Sequence, residues 1–116
     1  MEEQTVSETN NPEGFPHAPS GWMQQSAANV AAGEGIAASA DHWEAVRSLQ
    51  EFYARHDGET IHIRELHDAL DEHFHTRGGM KFLYKLFPGG PVSQGCKLAG
   101  LEPPAGSSDP GFGSVQ

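Results

Sequence analysis

Clusters of glycine and proline divide the second half of this chain and constrain its fold more than any other feature. They stand at Asp57-Gly58, Gly78-Gly79, Pro88-Gly89-Gly90 and Pro103-Pro104. Proline cannot continue a helix, and glycine commonly follows a helix end. The second half of the chain therefore predicts short helices separated by tight breaks.

Apolar residues at spacings of three and four predict helices between these breaks. We expect helices from Trp22 to Ala32, from Ser39 to Asp57, from Thr60 to Gly78, from Met80 to Phe87, and from Pro91 through Cys96 to Ala99. In the fourth helix, Met80, Leu83, Tyr84 and Phe87 are expected to face inward. Ser39 is a suitable N-cap and Gly100 a suitable C-cap. The fold class is mainly α: a small helical bundle.

The ends of the chain carry different expectations. Glu13-Gly14-Phe15, followed by Pro16 and Pro19, favours a turn or a minor β-hairpin. We expect residues 1–12 to be a disordered lead, residues 13–101 a single helical domain, and residues 102–116 a flexible C-terminal arm and extension. A chain of 116 residues has room for one modest core.

Charge and composition exclude several classes of function. The net charge is −9, and the first 46 residues hold seven acidic side chains and no lysine or arginine. An acidic chain repels phosphate backbones, so general nucleic-acid binding is disfavoured. The first residues are acidic and polar, so we expect no signal peptide, and no apolar run is long enough for a membrane span. A single cysteine fits a reducing cytoplasm.

Cys96 is the only thiol and the principal candidate for chemistry. The nucleophilic form is the thiolate, so a reactive cysteine needs a lowered pKa. Lys97 and the start of a helix near Pro91 would both favour the thiolate, and Gly95 would leave room for a partner to approach. The alternative is a small buried hydrophobe, because free cysteine is often buried.

Other candidate chemistry is weaker. His67, Asp71 and His75 are spaced so that one helical face would hold them together as a metal or proton-sensing cluster. Exposed polar histidines are the plainer interpretation, and we assign no metal and no cofactor. His42, at the start of the second helix, is most simply a packing or capping residue. No phosphate-binding loop, nucleophile elbow or CxxC motif is present.

Three segments in order resemble one known family. Glu34-Gly35-Ile36 followed by Asp41-His42-Trp43-Glu44 resembles an "EGI…(D/E)HW" segment. Ile63-Arg64, at the opening of a helix, is similar to an "IR" helix start. FLYKLFPGGPVSQGCKLAGLEPPAG resembles the arm "YLYxLFPxGPxxQGCKxAGLPxPxGC". These are motifs of the DsrC/TusE family of sulfur-relay proteins, which includes the gamma subunit of dissimilatory sulfite reductase.

The resemblance implies a mainly helical fold with a helix-turn-helix-like part and a mobile C-terminal arm. In complete family members, a terminal cysteine of the arm carries sulfur and an upstream cysteine pairs with it. Cys96 matches the upstream cysteine, whereas Ser107 stands at the terminal position. Arg64, Lys81 and Lys97 match basic positions that would bind an anionic sulfur species or a partner.

These observations lead to three hypotheses. The first is a cytoplasmic protein of sulfur metabolism that binds or regulates protein partners, or carries sulfur on Cys96 alone. The second is a noncatalytic subunit that docks on a sulfite-reductase-like or sulfurtransferase complex. The third, which the acidic charge opposes, is a helix-turn-helix regulator that binds nucleic acid. We expect a carrier or accessory protein rather than an enzyme, unless Cys96 is active in a sulfurtransferase-type relay.

Overall fold

The computed structural model describes residues 14–104, which form five α-helices and one short 3₁₀ helix. The α-helices are α1 (Gln24–Gly33), α2 (Ala40–Arg55), α3 (Ile63–His73), α4 (Gly79–Leu86) and α5 (Pro91–Ala99), and the 3₁₀ helix is His75–Arg77. The mainly helical fold class is confirmed. The suggested N-terminal hairpin is wrong for the described residues, because residues 14–21 form turns and no strand occurs within 14–104.

Helix α2 is the longest helix, and it packs against both α3 and α5. Its buried side lies in the core and includes Ala45, Val46, Leu49 and Gln50. The start of α2 is held by a capping box, in which the Ser39 side chain accepts the backbone N–H of His42 and the His42 ring accepts the backbone N–H of Ser39. The capping and packing role expected for His42 is therefore confirmed.

Helices α3 and α4 pack directly against each other, and the 3₁₀ helix that joins them contacts both. Helix α3 begins at Ile63, not Thr60, and the 3₁₀ helix was not predicted. The Asp71 carboxylate accepts the backbone N–H of Met80 at 2.9 Å, which satisfies one of the free donors at the start of α4. Tyr84 is 49% exposed, so its predicted inward orientation is wrong.

Helix α5 begins with Pro91 and ends at Ala99, and its C-cap Gly100 has a φ of +76°, the left-handed conformation that glycine adopts without strain. Both predicted ends of α5 are confirmed.

Helix α1 begins at Gln24, two residues later than predicted, so Trp22 lies before the helix. Trp22 is instead buried beside Phe15, with ring centroids 4.7 Å apart, and its indole N–H donates to the carbonyl of Leu98 at 2.8 Å.

Within residues 14–104, no helix is both long and apolar enough to cross a membrane.

Candidate functional site

Cys96 lies in the middle of α5 and faces the core of the bundle. Its side chain is completely buried. The hydroxyl oxygen of Tyr53, on α2, lies 3.8 Å from the sulfur. Since α2 and α5 pack directly against each other, the thiol sits between two helices and has no open path to solvent in this conformation.

The electrostatic setting of Cys96 differs from the sequence-based expectation. Burial raises the pKa of the thiol to about 11, and the Tyr53 contact lowers it by less. A low-dielectric environment disfavours the charged thiolate, and this effect outweighs the helix start and Lys97. The prediction of a lowered pKa is therefore wrong for this conformation, in which the thiol is protonated at neutral pH.

Gly95 does not leave the space that we expected beside Cys96. It is buried, and a Cβ atom placed on it would lie 2.7 Å from the Cδ1 atom of Leu49. Leu49 is itself 1% exposed. The absence of a side chain at Gly95 thus serves the close approach of α5 to α2 rather than the approach of a partner.

Lys97 points away from Cys96 and forms an ion pair with Glu34, with 3.1 Å between its Nζ and the carboxylate. The same carboxylate accepts a hydrogen bond from the Gln94 side chain at 3.1 Å, and the Gln94 oxygen accepts the backbone N–H of Gly89 at 2.9 Å. Hydrogen bonds from Lys97 and Gln94 lower the pKa of Glu34. This network joins the loop after α1, the Pro-Gly-Gly break and α5.

Two side chains of α2 hold the chain that leaves α5. The Nε2 atom of Gln50 donates to the carbonyl of Ala99 at 3.1 Å, and the Tyr53 hydroxyl donates to the carbonyl of Glu102 at 2.6 Å. Leu101 adds a backbone hydrogen bond to the carbonyl of Cys96. The first residues of the arm are therefore fastened beside the buried thiol.

The other predicted site residues lie away from Cys96 or outside the described chain. Arg64 and Lys81 are exposed, and no carboxylate of residues 14–104 forms an ion pair with either. Ser107 lies outside the described residues. Of the five predicted residues, Cys96 and Lys97 share a helix but face different surroundings.

The histidine face suggested by the sequence does not assemble into a cluster. Asp71 is used to hold the start of α4, and His75 lies in the 3₁₀ helix rather than on α3. Within the described part of the chain, no group of three histidine, cysteine or acidic residues is placed to hold a metal ion.

Sequence reasoning overlooked Tyr53 and Glu34 as parts of this site. Tyr53 continues the apolar spacing of α2, which predicts a packing role only, and its hydroxyl meets Cys96 across 43 positions of sequence. Glu34 was noted only as part of a motif. The sequence offered one signal for this pair. Glu34 in the first family segment and Lys97 beside Cys96 carry opposite charges, which are able to form an ion pair.

The chain matches a family model described as "DsrC like protein" over residues 2–107. A relative named Sulfurtransferase TusE, from Salmonella typhimurium, is 41% identical over 93 residues, which are 79% of this chain and 84% of the relative. A protein of the same name from Escherichia coli is 39% identical over the same shares of the two chains. No solved structure matches the chain significantly.

The family model spans most of the chain, including the segments that form the Glu34 network, the capped start of α2 and the helix of Cys96. The relatives match at about two residues in five over 93 residues. This chain is therefore a member of the DsrC-like protein family.

Proposed function

We propose that this protein is a sulfur-relay protein that works through protein partners and holds the transferred sulfur on Cys96. The observation that carries the proposal is membership of the DsrC-like family together with relatives named sulfurtransferases over 79% of the chain. Cys96 is the only thiol in the sequence, so no other residue is able to form a persulfide. A single cysteine also fits work in the reducing cytoplasm.

The transfer would be an exchange between a thiolate and a persulfide. The Cys96 thiolate attacks the outer sulfur of a cysteine persulfide on the partner, and a new sulfur–sulfur bond forms at Cys96. The sulfur–sulfur bond of the partner breaks, and the partner cysteine leaves as a thiolate. Atoms and electrons balance without an added oxidant or reductant.

Arg64 and Lys81 would contribute to the approach of a partner. Both are exposed and have no acidic partner within residues 14–104, so their charges remain available to an acidic surface or an anionic sulfur species. Lys97 would contribute less, because Glu34 already pairs with it.

A specific observation supports a second candidate, a subunit that docks on a sulfur-transferring or sulfite-reducing complex without carrying sulfur. The thiol of Cys96 is fully buried, and burial raises its pKa to about 11. Neither condition suits a nucleophile. Ser107, at the position of the family's terminal cysteine, has a hydroxyl that is unable to form a persulfide.

Intact-mass analysis separates the two candidates. The reduced protein would be incubated with polysulfide, and in parallel with a persulfidated sulfurtransferase, beside a Cys96→Ala control. A gain of one sulfur atom that reductant reverses and that the control lacks supports the carrier. The carrier hypothesis would be rejected if neither incubation added sulfur. Equal binding of wild type and Cys96→Ala to the sulfurtransferase would then support the docking subunit.

A further inference from the structure

We propose that the outer face of α4, formed by Lys81, Tyr84 and Lys85, docks an acidic segment of a partner protein. The proposal rests on the function proposed above and names the docking surface and the chemistry of the partner. All three side chains are exposed, and Tyr84 is 49% exposed. Tyr84 and Lys85 follow Lys81 by three and four positions, so both lie beside it on the helix surface. We call these three residues the α4 face.

Charge is unevenly divided along the chain, and α4 lies in its basic part. Residues 73–101 contain four of the seven lysine and arginine residues and no aspartate or glutamate. Two of these four bases, Arg77 and Lys97, are already paired with acidic side chains. Among the residues that the structure describes, no carboxylate forms an ion pair with either lysine of the α4 face. Both charges therefore remain available to a partner.

Tyr84 adds an apolar contact beside the two charges. Within residues 14–104, large apolar side chains are exposed at two positions, Met23 and Tyr84. A single exposed tyrosine is ordinary on a protein surface. Tyrosine is also enriched at the centres of interfaces, because its ring offers apolar area and its hydroxyl a hydrogen bond. A ring beside two unpaired lysines fits a segment that carries apolar side chains between carboxylates.

The α4 face suits a protein segment better than a nucleic acid. Two lysines make few phosphate contacts, and a chain with a net charge of −9 repels a long polyanion. A short acidic segment needs complementary charge only where it touches the surface. Helix α4 contacts α5, the helix of Cys96. A partner held on the α4 face is therefore close to the helix that carries the thiol.

Carbodiimide cross-linking of the full-length protein tests the α4 face. The reagent joins a carboxylate to a lysine amine that touches it, and it takes up the water lost as the amide forms. The probe is the peptide Glu-Asp-Leu-Phe-Glu-Asp, blocked at both ends, and peptide mapping locates its links among the three lysines of the chain. We expect most links at Lys81 and Lys85. Lys97 should instead be joined to Glu34, its ion-pair partner, which shows that the reagent is active.

Two controls separate docking from random labelling. Tyr84→Ala should reduce linking at the two lysines of the α4 face about fivefold, as expected for the loss of an aromatic anchor. Met23→Ala alters the other exposed large apolar side chain and should behave as wild type. The peptide Glu-Asp-Ser-Ser-Glu-Asp has the same charge and should link less. Equal linking of the two peptides, or unchanged linking in Tyr84→Ala, would overturn the proposal.

Other occupants of the α4 face would give different results. Without peptide, a link from either lysine to an acidic residue of positions 1–13 would assign the face to the chain's own start. A covalent dimer linked there would assign it to a second copy, and a short oligouridylate that binds more tightly than the peptide would assign it to nucleic acid. Each of these results would overturn the proposal. No sulfur moves in these reactions, so the docking face succeeds or fails independently of sulfur loading.

Discussion

The Nε2 atom of His42 lies 2.8 Å from the carbonyl oxygen of Leu86 and joins the start of α2 to the end of α4. The Nδ1 atom accepts the backbone N–H of Ser39, so the ring is in the tautomer that donates from Nε2. The ring also packs edge-on against Phe87, with centroids 5.2 Å apart. A residue that is polar and 7% exposed thus has all its hydrogen-bonding capacity used.

We expect His42→Ala to lower the free energy of unfolding by about 3 kcal/mol, since it removes the capping partner and leaves the Leu86 carbonyl without its donor. Ser39→Ala removes the side-chain cap and the contact of its hydroxyl with the His42 ring, keeps the bond to Leu86, and should cost about 1 kcal/mol. Chemical denaturation of both variants checks the difference. Equal costs would mean that the bond to Leu86 contributes nothing to stability.

The approach of α5 to α2 predicts that Gly95→Ala destabilises the protein, although alanine favours a helix by about 1 kcal/mol. The new Cβ would lie 2.7 Å from the buried Cδ1 of Leu49, and such overpacking typically costs about 1–3 kcal/mol. Gly33→Ala, at the end of α1, has nothing within 4 Å and is the control. We expect it to be neutral or slightly stabilising, and parallel gains at both sites would refute the clash.

The ion pairs of Glu44 predict a stability difference that disappears in acid. A hydrogen bond from Arg77, and a smaller one from His73, lower the pKa of Glu44 from 4.5 to about 2. Its contribution is therefore fully present above pH 4.5 and is lost as the pH falls from 4.5 to 2. Glu44→Gln should be less stable than wild type at pH 6, and the two should converge toward pH 2.

Denaturation at intervals between pH 6 and pH 2 measures this convergence. Added salt should reduce the difference at pH 6, because Glu44 and Arg77 are partly exposed and their attraction is screened. A difference that stays constant across the acid range would show that the carboxylate of Glu44 is not the group responsible.

The buried thiol predicts that stability falls in alkali, whereas the contribution of Glu44 is lost in acid. Burial raises the pKa of Cys96 from 9.0 to about 11, so its protonated form is favoured by folding. The stability of wild type relative to Cys96→Ala should be constant below pH 9 and should fall as the pH rises from 9 to 11. Thiolate absorbance, measured as wild type minus variant, should have its midpoint well above that of the urea-unfolded chain.

Local sequence signals predicted most of the helix ends. The Pro-Gly-Gly break, Pro91 and Gly100 each act on the backbone at their own position, and the structure begins or ends helices there. The start of α3 was placed at Thr60 and lies at Ile63. Its N-cap residue, His62, forms no side-chain capping hydrogen bond, so no capping residue marks this start in the sequence. Tyr84 continues the apolar spacing of α4 but lies on its exposed side, since periodicity does not tell how wide the buried stripe is.

The surroundings of Cys96 were not predictable in the same way. Its burial results from the packing of α2 on α5, two helices that begin about fifty positions apart. The lowered pKa was argued from Lys97 and the helix start, which are neighbours in sequence. Desolvation by distant residues outweighed both, and no pattern along the chain reports it.

Trp22, Gln50 and Tyr53 all hold the region around the end of α5 by main-chain carbonyl oxygens, those of Leu98, Ala99 and Glu102. Every residue type offers the same carbonyl, so these three bonds do not discriminate among side chains. A change of side chain in the arm therefore need not weaken the hydrogen bond that attaches the arm to α2. The same three donors would hold the base of the arm whatever side chains follow it, so the chemistry of the arm is free to change while the anchoring of its base stays the same.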